Sequence, residues 1–199
     1  LEHGEPARLH VMSRADSDHV LLLVVHHIAC DGWSLWILIE DLKELYAAQC
    51  EGRASKLAPL SHSYPDFLAW EHALIDGAEG ECQWQHWQAQ LAGDLPLFDL
   101  ADDGRPRAMA DGSGRSHDFA VAPDLRDSVE RVAKAQGVTP FTVLAAALTT
   151  LLHRYTAQTD ILIGLSAAGR TEARFAGVVG HFVNQVVLRS DVRGGPTFE

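Results

Sequence analysis

The 199-residue sequence predicts a mixed α/β fold of the α+β kind, because two hydrophobic periodicities follow one another along it. Short Val- and Leu-rich runs bounded by polar turns predict strands, and longer segments with apolar residues three and four positions apart predict helices. No internal repeat and no low-complexity tract interrupts the pattern.

Ala7 to Met12 predicts a strand, and after the polar turn Ser13 to Asp18 the run Val20 to Val25 predicts its hairpin partner. From Ser34 to Cys50, the residues Leu35, Leu38, Ile39, Leu42, Leu45 and Tyr46 form one apolar helical stripe opposite an acidic face. Gly52 to Ser63 is a polar, Pro-containing loop. Tyr64-Pro65-Asp66-Phe67-Leu68-Ala69-Trp70 then opens a second helix, with Pro65 tolerated in its first turn. Tyr64, Phe67 and Trp70 fall at helical spacing, which predicts packing. A third helix is expected from Cys82 to Leu91. Gly93 to Gly114 has several Asp, Gly and Pro residues and little periodicity, so it is the best linker candidate, with a boundary near Leu100.

Ser116 to Val121 predicts a strand, and Pro123 starts a helix running to about Gln136 and closed by Gly137. Thr139 caps another helix, Pro140 to Tyr155, whose Ala and Leu residues lie on nearly every face and predict deep burial. Asp160 to Ser166 and Phe182 to Val192 predict strands. Asn184 in the second of these needs a buried partner or a ligand.

Composition narrows the function classes. With 47% hydrophobic and 22% charged residues the chain is ordinary for a globular protein, and no apolar run is long enough to predict a membrane span. A net charge of -11, without a basic cluster, disfavours nucleic acid as a partner. Cys30, Cys50 and Cys82 are odd in number and lack Cys-x-x-Cys spacing, so neither a disulfide framework nor a structural zinc site is indicated. A reducing cytoplasm is the expected compartment. Leu1 is not a Met and no leader pattern follows it, so the sequence reads as an excerpt.

The densest polar constellation is His26-His27-Ile28-Ala29-Cys30-Asp31-Gly32, at the end of an apolar strand and the start of a helix. In extended backbone, successive side chains point to opposite faces, so His26 and His27 should serve different purposes. Asp31 is placed to cap the helix or hold a neighbouring cation, and Gly32 removes a side chain where a substrate approaches. Imidazole is suited to accept or position a proton from an attacking hydroxyl or amine. These residues suit acyl transfer. A strand end followed by a helix cap uses the same residue types. The opposed histidine directions argue against a metal, and Cys30 reads as a small buried residue.

His26 to Ser34 resembles the His-His-x-x-x-Asp-Gly-Trp-Ser core motif of condensation domains of nonribosomal peptide synthetases. Tyr64 to Trp70 is similar to that family's Tyr-x-Asp-Phe/Tyr-Ala-x-Trp motif, and Val179 to Arg189 to its Gly-x-Phe-Val-Asn-Thr-x-x-x-Arg motif, with Gln185 in place of the threonine. Together with Leu152-His153-Arg154-Tyr155, these motifs cover essentially the whole chain.

The resemblance implies a partial chloramphenicol-acetyltransferase-like fold of two α/β lobes, with residues 1–99 the later part of the N-terminal lobe and 100–199 the beginning of the C-terminal lobe. It implies peptide-bond formation between a donor acyl or peptidyl thioester and an acceptor aminoacyl thioester. Both would arrive on phosphopantetheine arms of upstream and downstream peptidyl carrier domains, beside an adenylation domain, with no directly bound cofactor and no metal. His27 is the expected catalytic residue, with His26, Asp31 and Gly32 supporting it, and Trp33, Ser34 and Asn184 facing substrate. The arginine paired with Asp31 would precede Leu1, and the segments bridging the lobes would follow Glu199. An epimerization domain shares the motif but carries Ser-Trp after Asp-Gly and lacks Phe-Val-Asn, so Trp33-Ser34 and Phe182-Val183-Asn184 favour condensation. A heterocyclization domain replaces the first histidine by aspartate. A catalytically silent carrier-docking module and a coenzyme A-dependent acyltransferase are the remaining alternatives.

Overall fold

A computed structural model describes residues 4–96 and 116–198. Helices and short strands mix along the chain: β1 Ala7–Ala15, β2 Asp18–Val25, α1 Gly32–Glu51, α2 Tyr64–Ile75, α3 Ala78–Gln90, α4 Pro123–Gln136, α5 Pro140–Thr156, β3 Asp160–Ala167, a 3-10 turn Ala173–Phe175, and β4 Asn184–Asp191. The proposed linker Gly93 to Gly114 and the boundary near Leu100 fall largely or wholly outside the described residues.

Two compact units divide the chain. One comprises Leu1–Gln88 and Leu165–Val186, the other Ala89–Gly164 and Val187–Glu199. The Leu165–Val186 segment returns to the first unit. The reason is a set of buried polar and aromatic contacts that tie this segment to α1 and α2.

In the first unit β1 and β2 pair antiparallel, from Ala7 opposite Val25 to Met12 opposite Val20, with an irregularity between Ser13 and Ala15. Both strands extend further into the predicted turn than their apolar runs do. Asp31 caps α1, and Gly52 ends it in the left-handed region at φ 64°, where a residue without Cβ is unstrained. A capping box starts α2: Ser63 accepts from the Asp66 N–H, and the Asp66 carboxylate accepts from the Ser63 N–H at 2.7 Å. This cap aims Phe67 inward, where it joins Phe175, Val178 and Phe182 in a buried cluster flanked by Tyr64, Leu68 and Trp70. Phe67 and Phe182 rings lie 4.4 Å apart, and Phe175 meets Phe67 edge-on at 5.5 Å.

In the second unit α4 packs against α5. Arg189 of β4 donates to both carboxylate oxygens of Asp160, and to the carbonyls of Gln90 and Ala92 at 2.9 Å each. The arginine closing the third motif is thus a staple between β4, the start of β3 and the chain leaving α3.

Three expectations change. Ser116 to Val121 is not a strand, since nothing among the described residues pairs with it. Helix α3 starts at Ala78, earlier than Cys82, because the acidic Glu79 and Glu81 favour a helix N-terminus. Helix α5 is not deeply buried: Thr149 is its buried residue, while Phe141, Leu144, Leu148, Leu151 and Tyr155 are exposed. One face meets α4, and another lines a 540 Å³ pocket with Leu188 and Ser190 of β4. No single described helix is long and apolar enough to cross a membrane.

Candidate active site

Strand β2 ends at Val25, so both histidines lie in the turn that follows and not in extended backbone. Strand alternation does not apply to them, and hydrogen bonds separate them instead. His26 Nδ1 accepts from the Ile28 N–H at 3.1 Å, and the His26 carbonyl accepts from Ala29 N–H, which ties His26 to the turn. The His27 ring makes no hydrogen bond among the described residues. It lines a 230 Å³ pocket with Leu23, Val25, Cys30, Asp31, Gly32 and Leu35.

Below the turn lies a buried polar latch. The Asp31 carboxylate accepts from the Ser34 N–H at 2.7 Å, the Phe182 N–H at 3.1 Å and Arg170 Nη2 at 3.3 Å. The Asp31 N–H donates to the Gly180 carbonyl at 3.0 Å. Side chains of Asp31 and Arg170 are only 1% and 6% exposed, so this is a dry ion pair rather than a surface one. Burial pushes the Asp31 carboxyl up, but the Ser34 and Phe182 hydrogen bonds and the Arg170 charge outweigh it and hold the group below its ordinary value. With its oxygens so engaged, Asp31 fixes the turn and is not placed to move a proton.

Arg170 holds the latch together. Its guanidinium also donates to the carbonyls of Phe175 and Val178 and to Ser34 Oγ, and it lies over the Phe182 ring at 3.7 Å from the centroid. The arginine paired with Asp31 is therefore inside this chain and not before Leu1. Sequence spacing gave no sign of it, because 139 residues separate the partners. A polar Gly169-Arg170-Thr171 break just after an apolar strand was the available clue. Gly169 has φ +68°, and a Cβ there would run into the Phe182 carbonyl, so only glycine lets the segment carry Arg170 inward.

The predicted substrate-facing residues separate. Ser34 is fully buried; its hydroxyl donates to the Gly180 carbonyl at 2.8 Å and accepts from the Gly180 N–H and Arg170, so it belongs to the latch. Trp33 is exposed, with its indole N–H on the Ala176 carbonyl at 3.3 Å. Asn184 is not buried either. It stands exposed at the start of β4, and its side-chain oxygen accepts from the Gln185 N–H at 2.8 Å. Space beside Gly32 is open, with nothing within 4 Å of where a Cβ would sit. Burial, with the nearby Asp31 charge, pushes the Cys30 thiol up. Among the described residues no three His, Cys, Asp or Glu side chains form a metal-holding group.

One further residue reaches the site. His181 donates from Nδ1–H to the His27 carbonyl at 2.9 Å, and its ring meets the His27 ring edge-on at 5.3 Å. The third motif contained His181, but its pattern assigns that position no role.

This chain is similar to phosphinothricin tripeptide synthetase PhsB of Streptomyces viridochromogenes, 40% identical over 100% of this chain and 17% of the relative. It is 34% identical to malpinin synthetase of Mortierella alpina over 99% of this chain and 2% of that one. Among solved structures, the X-domain from teicoplanin biosynthesis superposes with a TM-score of 0.84 at 27% identity, over 98% of this chain and 45% of the other. The first condensation domain of the calcium-dependent antibiotic synthetase, in complex with a substrate analogue, superposes at 0.76 and 27% identity, over 96% and 44%. The chain thus spans under half of each of these solved neighbours and a small part of each synthetase. The Condensation domain family model matches residues 1–199, so a buried aspartate latch holding an exposed histidine turn belongs here to a member of the condensation-domain family.

Proposed function

We propose that this chain carries the acceptor-amine histidine of a nonribosomal peptide condensation domain, and that the complete domain joins a donor acyl or peptidyl thioester to an acceptor aminoacyl thioester. One observation carries the reading: the His27 ring is free of hydrogen bonds to the described residues on the wall of a 230 Å³ pocket, while its turn is pinned by the buried Asp31 and Arg170. A free imidazole on a rigid mount is what positioning an amine requires.

In this reading the amine nitrogen of the acceptor attacks the donor carbonyl carbon. A C–N bond forms, the C–S bond breaks, and the amine gives up a proton while the departing thiolate takes one up. His27 either accepts that proton or holds the amine in line. The open side of Gly32 leaves room for the acyl centre, and its N–H, at the first position of α1, is suited to the developing oxyanion. Phosphopantetheine arms of upstream and downstream peptidyl carrier domains supply the two thioesters, with an adenylation domain alongside, so the domain itself binds no cofactor and no metal. Trp33 and Asn184, both exposed in the first unit, remain candidates for substrate contact. Unpaired Cys30, Cys50 and Cys82 suit a reducing cytoplasm.

The complete domain, given both carriers loaded, should yield amide product on the acceptor carrier. Racemisation of a single loaded L-aminoacyl carrier, without amide formation, would instead make it an epimerization domain. Carrier binding without turnover of natural substrates would make it a docking module.

A further inference from the structure

We propose that His181 is a positioning residue for His27, fixing the direction in which the His27 imidazole meets the acceptor amine, a role that rests on the reading that His27 handles that amine.

Two contacts point to it. A carbonyl can only accept, so the 2.9 Å bond to the His27 carbonyl requires the His181 proton on Nδ1. That bond ties down the backbone from which the His27 side chain springs. The edge-on ring contact at 5.3 Å and 67° then walls one side of the His27 imidazole. His181 is itself held firmly: its carbonyl accepts from Tyr64 Oη at 2.7 Å, Gly180 before it is bonded to Ser34 and Asp31, and Phe182 after it donates to Asp31. The latch that immobilises Asp31 thus delivers a second imidazole against the first. His181 touches His27 and is not among the residues that wall the pocket, so it acts through His27.

The test uses the complete condensation domain with both carriers loaded. His181→Phe keeps a ring edge and loses the donor, and His181→Asn keeps a donor near the Nδ1 position and loses the ring. His181→Phe should lower kcat about tenfold with the KM for the acceptor carrier unchanged, part of the roughly hundredfold that a misplacement of about 1 Å can cost. His181→Asn should recover most of that rate. In a His27→Ala background, His181→Phe should cause no further loss. Wild-type kcat in folded His181→Phe, or an equal loss in both backgrounds, would overturn the positioning role. Nitrogen-15 spectra of histidine-labelled wild-type domain give a readout independent of turnover and of variant folding: the Nδ1–H form of His181 is expected, and the Nε2–H form overturns the proposal. Undiminished condensation by His27→Ala would instead overturn the underlying reading, whereas loss in His27→Ala with an unaffected His181→Phe overturns the positioning role alone.

Discussion

At the residue scale, the site depends on Asp31 and Arg170, two charges taken out of water together. Removing one leaves the other buried and unpaired, a cost of about 3–5 kcal/mol for such pairs. Arg170→Ala also strips donors from the Phe175 and Val178 carbonyls and from Ser34, so urea unfolding should show a large loss. Asp31→Asn should lose less, because asparagine also caps a helix and can still accept from the Ser34 N–H. Acid separates the two effects. The folded Asp31 carboxyl titrates below the free value of about 4, so near that pH the folded state binds fewer protons than the unfolded one. Its contribution is complete above that pH and is lost as the pH falls through the folded value. Urea midpoints measured from pH 6 down to pH 3 should therefore fall more steeply for wild type than for Asp31→Asn; parallel profiles would contradict the assignment. Asp31 was legible as a helix cap because capping is local. Arg170 was not, because a contact made across 139 residues leaves no spacing to read.

Among the elements, helices α1, α2, α4 and α5 and the β1–β2 hairpin were legible because their caps and periodicities are properties of neighbouring residues. Phe182 and the strand end at Val25 were not. Phe182 continues the apolar run of β4, so period alone placed it in a strand, whereas the aromatic cluster takes it as a core residue before β4 begins. The return of Leu165–Val186 against α1 and α2 depends on close approach at Gly180, where a Cβ would collide with the Tyr64 ring. Gly180→Ala should therefore cost about 1–3 kcal/mol, the range for overpacking. It should also break the bond from Tyr64 Oη to the His181 carbonyl. Thermal unfolding of the variant checks this, and an unchanged Tm would show that the ring gives way freely.

For the whole molecule, apolar surface remains exposed within the described residues. Phe141, Leu144, Leu151 and Tyr155 on α5 and Leu9, Val11, Leu22 and Val24 on the hairpin are each 47% exposed or more. Patches of this kind mark surfaces that meet other protein. The 199-residue chain on its own should accordingly bind the dye ANS strongly and self-associate, despite its net charge of -11. A monodisperse, ANS-silent preparation would contradict the exposure. The functional class was legible because three motifs stand in order along the chain. The division of labour within the site was not, because Ser34 and Trp33 are adjacent in sequence yet one is buried in the latch and the other is open to solvent. On the proposed function, His27 serves the reacting amine from a mount made by Asp31 and Arg170. Single-turnover condensation by the complete domain, with both carriers loaded, tests it in His27→Ala against wild type. The expected result is a rate lowered at least about a hundredfold, the lower range for a general acid or base, with carrier binding and the unfolding midpoint unchanged; condensation at the wild-type rate would contradict it.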